Sequence, residues 1–369
     1  MNIPFLNFEP MHSAIRAEMV EAFEDFYDSH WYVLGDRLTQ FERAYSEFNQ
    51  VKHTVGISNG LDAIFIALKV LGVKTGDEVI MPSNTFIATV LAVSYTGATP
   101  VFVEPDAQTY LIDISKLEEA ISFKTKVIIP VHLYGQVCRM DELMVIAKKH
   151  DLKVIEDNAQ AHGAMYKGRM TGTFGDINAT SFYPGKNLGA LGDAGAITTD
   201  NETYALKAKM LRNYGSSQKY THEVIGHNMR MDELQASFLS VKLKYLSEWT
   251  SKRQIIASWY REQLAEVKDI TLPFVHPEAT HVYHLFVIRT SKRDQLQSFL
   301  QEKGIGTLIH YPIPPHLQKA YDHLGYKIGD FPIAEELANT SLSLPIWPGM
   351  DQSQVNFISD QIKSFFTTN

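Results

Sequence analysis

Short apolar, β-branched runs alternate with amphipathic stretches from Val51 to about Thr199. Strands that look buried and alternate with helical patterns are typical of an α/β layer with a largely parallel sheet. The predicted strands are His53–Ile57, Glu78–Met81, Pro100–Val103, Val127–Val131, Lys153–Glu156, Ala179–Tyr183 and Gly195–Thr199. The predicted helices between them include Leu61–Leu71, Ser115–Ile121 and Met140–His150.

The hydrophobic pattern changes after Asp232. Apolar residues then recur at helical spacing, which predicts long helices up to about Lys268. After Pro273 the pattern predicts a strand and two helices, at Tyr283–Arg289, Arg293–Lys303 and Val355–Phe366. We therefore predict a large α/β domain with a mixed, mostly parallel sheet over residues 1–244, and a smaller α+β domain over residues 245–369.

Composition and charge narrow the class of protein. The 369 residues carry a formal net charge of −8, which argues against a sequence-independent grip on nucleic acid. Cys138 is the only cysteine, and no His/Glu pattern has zinc-site spacing, so we predict no metal. No apolar run approaches the roughly 20 residues of a membrane span, and the first residues lack signal-peptide features. We expect a cytoplasmic enzyme without membrane or nucleic-acid partners.

Lys186 lies in a glycine-rich turn directly after a predicted strand, within Ser181-Phe-Tyr-Pro-Gly-Lys-Asn-Leu-Gly-Ala-Leu-Gly-Asp-Ala-Gly195. Small residues let the backbone approach a bulky group. A lysine held in such a place can lose its solvation, which lowers its pKa and suits it to Schiff-base chemistry. An isolated loop lysine is usually just solvated, so the turn alone does not name a cofactor.

Asp157 ends another predicted strand, in Val154-Ile-Glu-Asp-Asn-Ala-Gln160. Ligands of α/β proteins bind at strand ends of this kind. A carboxylate beneath a pyridine nitrogen keeps that nitrogen protonated, so the ring accepts electrons. Gln160 could hydrogen-bond a phenolic oxygen of the same ring. The alternative is that Asp157 only caps the next helix.

The segment Gly56-Ile-Ser58-Asn-Gly60-Leu61 leads from a predicted strand into a helix. A helix start offers free N–H groups and the positive end of the helix dipole, so a phosphate fits there. The same residues match the nucleophile-elbow pattern of a serine hydrolase. That alternative would use Ser58 with Asp157 and either His284 or His310, but it leaves the Lys186 turn unexplained.

Asn228 and Arg230 precede the long helix that starts near Asp232. An amide can donate to a phosphate, and a guanidinium offers a planar fork to anions. The alternative is an ordinary helix start with acidic residues in its first turn. Both interpretations can hold together.

Taken together, these motifs resemble those of the DegT/DnrJ/StrS family of nucleotide-sugar aminotransferases, which depend on pyridoxal 5′-phosphate (PLP) and have the aspartate-aminotransferase fold, fold type I. The resemblance spans nearly the whole chain. It also includes Tyr32-Val-Leu-Gly35, Met81-Pro-Ser-Asn-Thr-Phe86-Ile-Ala88, Val131-His-Leu-Tyr-Gly135 and His310-Tyr-Pro-Ile-Pro-Pro-His316. Leu61, where the family usually has threonine, and Ala194, where it commonly has glycine, depart from the pattern.

The resemblance implies roles for the matching residues. Lys186 would form the Schiff base, Asp157 would pair with the pyridine nitrogen, and Gln160 would pair with the phenolic oxygen. Phe86 would cover the ring, while Gly60, Leu61 and Ser181 would hold the phosphate. Asn228 would reach the phosphate of the partner subunit's cofactor, which implies a homodimer with shared sites. L-glutamate would donate the amino group.

The substrate implied is a nucleotide-linked keto-sugar. Tyr183, His310 and Tyr311, with Arg230, are the candidate substrate-binding residues. They resemble the branch that aminates dTDP-3-keto-6-deoxyhexoses to dTDP-3-amino-3,6-dideoxyhexoses in deoxyamino-sugar and glycan biosynthesis. A 4-keto substrate on dTDP, UDP or GDP is the alternative. A PLP-binding regulator is another, although the sequence lacks the basic helix-turn-helix segment that such regulators carry.

Overall fold

The computed structural model describes residues 1–368. Its helices are α1 (Glu9–Ala14), α2 (Arg16–Asp28), α3 (Asp36–Asn49), α4 (Gly60–Val70), α5 (Ile87–Tyr95), α6 (Met140–Lys149), α7 (Glu202–Leu211), α8 (Glu233–Leu243), α9 (Leu246–Leu264), α10 (Arg293–Glu302), α11 (Pro332–Thr340) and α12 (Gln352–Thr368). Its strands are β1 (His53–Ile57), β2 (Glu78–Pro82), β3 (Thr99–Val103), β4 (Thr125–Ile128), β5 (Lys153–Val154), β6 (Met165–Tyr166), β7 (Arg169–Met170), β8 (Asn178–Ser181), β9 (Gly195–Thr199), β10 (Ser216–Gln218), β11 (Thr221–His222), β12 (Phe286–Arg289) and β13 (Ser341–Leu344).

The large sheet is built from two ladders. Strands β3, β2, β4 and β5 pair in that order and are parallel. Strands β1, β9 and β8 form the second ladder, in which β9 runs antiparallel to both neighbours. Parallel bridges from Asp157 to Val131 and to Ala179 join the two ladders. The mixed, mostly parallel sheet predicted from the sequence is therefore confirmed.

Both faces of this sheet are covered. Along β2, Val79 and Met81 contribute to one hydrophobic core with α4, α5 and α7, whereas Ile80 contributes to another core with α6. Alternate residues of a strand point to opposite faces, so the two cores lie on opposite sides of the sheet. This double coverage explains why the strands are nearly continuous apolar runs.

The predicted strands of the large domain all occur, with shifted ends in several cases. The predicted helix Ser115–Ile121 is wrong, because two 3-10 turns, Ile114–Lys116 and Glu118–Ala120, take its place. An amphipathic run this short cannot sustain a helix without strong packing. Helices α1 to α3, which precede the first predicted element, were not predicted.

The helices predicted between Asp232 and about Lys268 occur as α8 and α9, which meet at Lys244–Tyr245. One prediction in the second half is wrong. The strand predicted to start at Tyr283 starts instead at Phe286. Tyr283 has a φ of 45°, which is left-handed backbone and cannot continue a strand.

A further hydrophobic core lies between α9, α10 and α12 and the antiparallel pair β12–β13. It includes Tyr260, Phe286, Leu344 and Trp347, all buried. We propose that this core defines a C-terminal domain from residue 245 onward. Ile3 also packs in this core and pairs with Ile305, whereas Phe5 packs against a core of the large sheet, so the first residues contact both regions.

Two observations concern residues 1–368 only. No helix among them combines the length and apolarity needed to cross a membrane. Nor do they contain a group of three or more His, Cys, Asp or Glu side chains placed to hold a metal ion.

A buried ion pair fixes β1 against its surroundings. The Arg212 guanidinium donates to the Glu42 carboxylate at 2.6 Å and to the Gly56 carbonyl oxygen at 2.6 Å. The same Glu42 carboxylate accepts from the Gly56 N–H at 2.8 Å. Because both charged side chains are buried, each depends on the other for compensation. The pair therefore positions the strand that leads into the turn at Ser58.

We predict that Glu42→Gln destabilises the protein by about 3 kcal/mol, because it leaves the Arg212 charge buried and uncompensated. Glu47→Gln on the same helix is the matched control, since Glu47 is exposed and its pair with Arg43 spans 3.8 Å. It should change stability by less than about 0.5 kcal/mol. The free energy of unfolding in urea would measure both. Equal effects from the two variants would contradict this account.

Candidate active site

Lys186 lies in a compact loop that follows β8. The Lys186 N–H donates to the Tyr183 carbonyl oxygen at 2.8 Å, and the Ala190 N–H donates to the Phe182 carbonyl oxygen at 2.8 Å. A Cβ atom at Gly189 would lie 2.2 Å from the Pro184 carbonyl oxygen, so only glycine fits there. The loop thus holds the lysine backbone in one place, which the glycine-rich pattern had indicated.

The Lys186 amine faces a cavity and is poorly solvated. Burial lowers the pKa of Lys186 to about 8, and the nearby negative charge of Asp157 opposes this shift. About a tenth of the amine is therefore neutral at pH 7, far more than in a lysine with an ordinary pKa of about 10.4. A neutral amine is the nucleophilic form that adds to a carbonyl.

Asp157 lies where the two ladders of the sheet meet, and it is buried. Its main chain donates to the Pro130 carbonyl oxygen at 2.9 Å and accepts from the His132 N–H at 3.1 Å. Its carboxylate accepts from the Thr89 hydroxyl at 2.8 Å and from the Ala159 N–H at 3.1 Å. Both ends of the residue are therefore fixed, and the carboxylate lines the cavity at the carboxyl edge of the sheet.

The start of α4 forms another wall. The Asn59 side chain caps the helix by accepting from the Asp62 N–H at 2.9 Å. The helix geometry leaves the N–H groups of Gly60 and Leu61 without partners inside the helix. A Cβ atom at Gly60 would lie 2.6 Å from the Cβ atom of Ser181, so the glycine allows the Ser181 hydroxyl to lie beside this helix start. These donors suit a phosphate group.

A polar network orients Gln160. Its side-chain oxygen accepts from the Tyr134 N–H at 2.6 Å, and its Nε2 donates to the Tyr311 hydroxyl at 3.2 Å. The Tyr134 hydroxyl in turn donates to the carbonyl oxygen of His310. Because the oxygen of Gln160 already accepts a main-chain hydrogen bond, the amide group presents its nitrogen as a donor towards the cavity.

One cavity of about 810 Å³ brings the predicted site residues together. This volume is within the range of small-molecule sites. The predicted residues that line it are Gly60, Leu61, Phe86, Asp157, Gln160, Ser181, Tyr183, Lys186, His310 and Tyr311.

The substrate candidates form an aromatic and polar wall. The Phe86 and Tyr311 ring centroids lie 5.1 Å apart, and Nδ1 of His310 lies 2.8 Å from the Ser343 hydroxyl. Burial lowers the pKa of His310 to about 4, and the positive charge of Lys186 adds to this effect. His310 is therefore neutral at neutral pH. Burial also raises the pKa of Tyr311, which keeps its hydroxyl protonated.

Asn228 and Arg230 lie outside this cavity. Asn228 is exposed and pairs with Asn213 in an antiparallel bridge. The Arg230 guanidinium donates to the Asn213 side chain at 3.2 Å and lies 5.3 Å from the Tyr214 ring centroid. Within one protomer these two residues do not join the other candidates.

The serine-hydrolase alternative is wrong. The Ser58 hydroxyl donates to the Asp62 carboxylate, and neither His284 nor His310 hydrogen-bonds to it within the described chain. Asp157 is held by Thr89 and Ala159 rather than by a histidine. The arrangement therefore lacks the base that a nucleophilic serine needs.

Several functional candidates were missed from the sequence. Thr89 holds Asp157, Tyr134 holds Gln160, and Arg253 lines the cavity; His284 lines it too, but the sequence offered it only as a base in the hydrolase alternative. Phe5 lines it as well, although it is distant in sequence from the other motifs. The spacing of Thr85 and Thr89, on either side of the start of α5, is too common in sequences to have selected Thr89.

The fold and the site define the class of protein. A poorly solvated lysine after a strand, a carboxylate at the carboxyl edge of the sheet and a phosphate-binding helix start are the features of a PLP-dependent enzyme of fold type I. The hydrogen-bond donors at the start of α4 suit the phosphate of this cofactor. Gly60, which has no side chain, leaves them accessible from the cavity.

Comparison with known proteins identifies the family. The profile of the DegT/DnrJ/EryC1/StrS aminotransferase family matches residues 13–363. The dTDP-3-amino-3,6-dideoxy-alpha-D-galactopyranose transaminase of Aneurinibacillus thermoaerophilus is 47% identical over 98% of this chain and 99% of its own. The erythromycin biosynthesis sensory transduction protein EryC1 of Saccharopolyspora erythraea is 45% identical over 99% of this chain and 100% of its own.

Solved structures agree with these relatives. S. venezuelae DesV has a TM-score of 0.97 and 44% identity, covering 99% of this chain and 98% of that protein. Bacillus subtilis NtdA, solved with bound pyridoxamine phosphate, has a TM-score of 0.91 and 35% identity. The match covers 98% of this chain and 85% of that protein. The chain belongs to the DegT/DnrJ/EryC1/StrS aminotransferase family, and its cofactor is PLP.

We predict that chemical labelling of Lys186 in the apoprotein follows a titration near pH 8, because burial lowers the pKa of this amine. Below that pH the amine is protonated and labelling slows. Acetic anhydride labelling, quantified by mass spectrometry across the pH range, measures this without cofactor. Exposed lysines, with ordinary pKa values of about 10.4, are internal controls.

Asp157→Asn should shift the Lys186 midpoint to lower pH, since the Asp157 charge favours the protonated amine. A midpoint that stays at the value of the exposed lysines in both proteins would contradict the desolvated site.

Proposed function

We propose that this chain transfers the amino group of L-glutamate to the keto carbon of a nucleotide-linked sugar. The observation that carries the proposal is the position of the Lys186 amine and the Asp157 carboxylate on the walls of a single cavity. The cofactor, when bound, supplies an aromatic ring that accepts electrons from the substrate carbon. The side chains of this cavity would supply binding, orientation and proton transfer.

The cofactor-binding roles follow from the donors available. Asp157, fixed through Thr89 and Ala159, would accept a hydrogen bond from the pyridine N–H and so keep that nitrogen protonated. Gln160 would donate to the phenolic oxygen through the Nε2 group that its own hydrogen bonds turn towards the cavity. Phe86, about half exposed at the cavity wall, would cover the ring face. Gly60, Leu61 and Ser181 would hold the phosphate.

Lys186 would carry the protons of both half-reactions. Its Nζ atom would remove the proton from the carbon that bears the donor nitrogen and return a proton to the corresponding sugar carbon. A pKa of about 8 suits Lys186 to both directions, because it lies closer to neutral pH than that of an ordinary lysine and both protonation states are accessible. A base already held in the cavity makes this proton transfer effectively intramolecular.

A dTDP-linked 3-keto-6-deoxyhexose is the substrate that we favour. Tyr183, His310 and Tyr311 line the cavity with neutral polar groups, which suit the hydroxyl groups of a sugar ring. The 47% identical relative from A. thermoaerophilus is named for a dTDP-3-amino-3,6-dideoxy sugar, which supports the same choice. A 4-keto sugar nucleotide stays the alternative, and a cytoplasmic location stays a prediction.

We predict that the protein converts dTDP-3-keto-6-deoxyhexose and L-glutamate to the 3-amino sugar and 2-oxoglutarate. Lys186→Ala should lower the rate by at least about 1000-fold, because the variant loses the proton-transfer group. Lys167→Ala is the matched control, since Lys167 is a surface lysine that pairs with Asp141. Release of 2-oxoglutarate and the mass of the sugar product measure both.

Turnover of a 4-keto sugar nucleotide in preference to the 3-keto sugar would contradict the proposed regiochemistry. Absence of 2-oxoglutarate release with every keto-sugar nucleotide, together with bound PLP, would instead favour the regulatory alternative.

We also propose that the active unit is a homodimer with shared sites. Large apolar side chains are exposed along α2 and the segment after it, namely Val20, Phe23, Tyr27, Trp31, Tyr32 and Val33. A contiguous patch of this kind is typical of a protein interface. Asn228 and Arg230 lie outside the cavity of their own protomer, so they are available to a neighbouring one. Asn228 would then donate to the phosphate held in the partner's cavity.

A mixing experiment tests the shared sites. Lys186→Ala and Asn228→Asp protomers should each form dimers with little activity. After they are mixed and allowed to exchange, half of the dimers carry one intact site, so about a quarter of the wild-type activity should return. Analytical ultracentrifugation measures the dimer, and unmixed variants are the control. Failure to recover activity despite proven exchange would contradict the shared arrangement.

A further inference from the structure

Arg253, on α9, is a buried cation without a charged partner. It is 3% exposed, and it lines the cavity. Its Nη1 atom donates to the carbonyl oxygens of Tyr283 at 3.1 Å and Ile346 at 3.0 Å. None of the ion pairs among residues 1–368 includes it. The two carbonyl groups fix the guanidinium but carry no net charge to balance it.

The surrounding cavity offers little compensation. The carboxylates that line it are those of Asp157 and Asp193. Asp157 is engaged by Thr89 and Ala159, and Asp193 is exposed. A buried charge without compensation is destabilising. This part of the cavity therefore suits a negatively charged ligand.

His284 lies in the same region. Burial lowers the pKa of His284 well below its ordinary value, and the positive charges of Lys186 and Arg253 add to this effect. The imidazole is therefore neutral and leaves the cationic charge to Arg253 and Lys186. Its Nδ1 atom is buried and has no hydrogen-bond partner within the described chain. A neutral imidazole can offer one N–H donor to a ligand oxygen.

The distance of each anionic group from the reacting carbon indicates which of them Arg253 would bind. The cofactor phosphate is accounted for by the start of α4. The diphosphate of a sugar nucleotide is separated from the keto carbon by the sugar ring and needs room for a nucleoside beyond it. The α-carboxylate of an amino acid, by contrast, is bonded directly to the reacting carbon. It must lie deep in the cavity near the Lys186 amine.

We propose that Arg253, together with His284, forms the subsite for the α-carboxylate of the amino donor. The inference rests on the proposed aminotransferase reaction and adds the recognition of its first substrate. Arg253 holds the carboxylate of the amino acid, and the keto-acid product leaves from the same place. In the second half-reaction the subsite receives an uncharged part of the sugar, so it contributes less to that step.

The first test changes only the ligand. In wild-type holoenzyme, L-glutamate is compared with 4-aminobutyrate, which is the same amine without the α-carboxylate. Loss of the PLP absorbance under single-turnover conditions gives kcat/KM for each. We expect glutamate to be favoured by at least about 100-fold, the upper range for charge-assisted hydrogen bonds. Equal values for the two amines would overturn the proposal without any variant.

The second test changes the protein. Arg253→Gln should lower the preference for glutamate over 4-aminobutyrate by about 30-fold or more, and Arg253→Lys by less, because the charge remains. Arg261→Gln is the matched control on the same helix, since Arg261 also donates to a carbonyl oxygen, that of Pro273, at 2.7 Å and does not line the cavity. It should leave the preference unchanged.

Two more measurements separate recognition from a structural role. Calorimetric binding of glutarate, an unreactive dicarboxylate, should weaken by about 10-fold or more in Arg253→Gln. The half-reaction that starts from the dTDP-amino sugar should change by less than about 3-fold in Arg253→Lys. Equal losses in both half-reactions, with an unchanged donor preference, would overturn the proposal. Failure of the proposed function is distinct, because wild-type enzyme would then react with neither donor.

Discussion

The main chain of Asp157 is the constraint on which the site depends. Its bridges to Val131 and Ala179 join a fully parallel ladder to one that contains the antiparallel strand β9. Asp157 has little freedom, because its own N–H and C=O bond to Pro130 and His132, and the main chains of its neighbours Glu156 and Asn158 bond to Ala179. The carboxylate is therefore presented at one point of the sheet edge, and the α4 start and the Lys186 loop lie around it because their strands belong to the same sheet.

Desolvation gives this arrangement its chemistry. Removal from water lowers the pKa of Lys186 to about 8 and that of His310 to about 4, so the cavity contains a reactive amine and a neutral imidazole. The opposing charge of Asp157 limits how far the lysine shifts. Arg253 differs, because burial lowers its pKa only to about 10 and it stays charged. A buried guanidinium that stays charged is poorly reached by water, so an anionic ligand is the better partner for its charge.

The cavity also depends on the smaller core. Phe5, Arg253, His310 and Ile346 line it from segments that pack with, or immediately beside, β12 and β13. The large sheet thus supplies the side of the cavity that contains Asp157 and Lys186, and the C-terminal region supplies much of the remaining wall.

Local patterns in the sequence were sufficient for the alternating strands, for the Lys186 turn and for the helix start at Gly60, because each of these depends on neighbours in the chain. They also brought Asp157 and Lys186 forward as candidates, and the family resemblance added Phe86, Tyr183 and His310. Thr89, Tyr134 and Arg253 were beyond reach, since their roles arise from partners 68, 26 and 30 or more residues away. Only the tertiary structure decided which side chains share one desolvated cavity, because burial and the charges that accompany it exist only after distant segments have packed together.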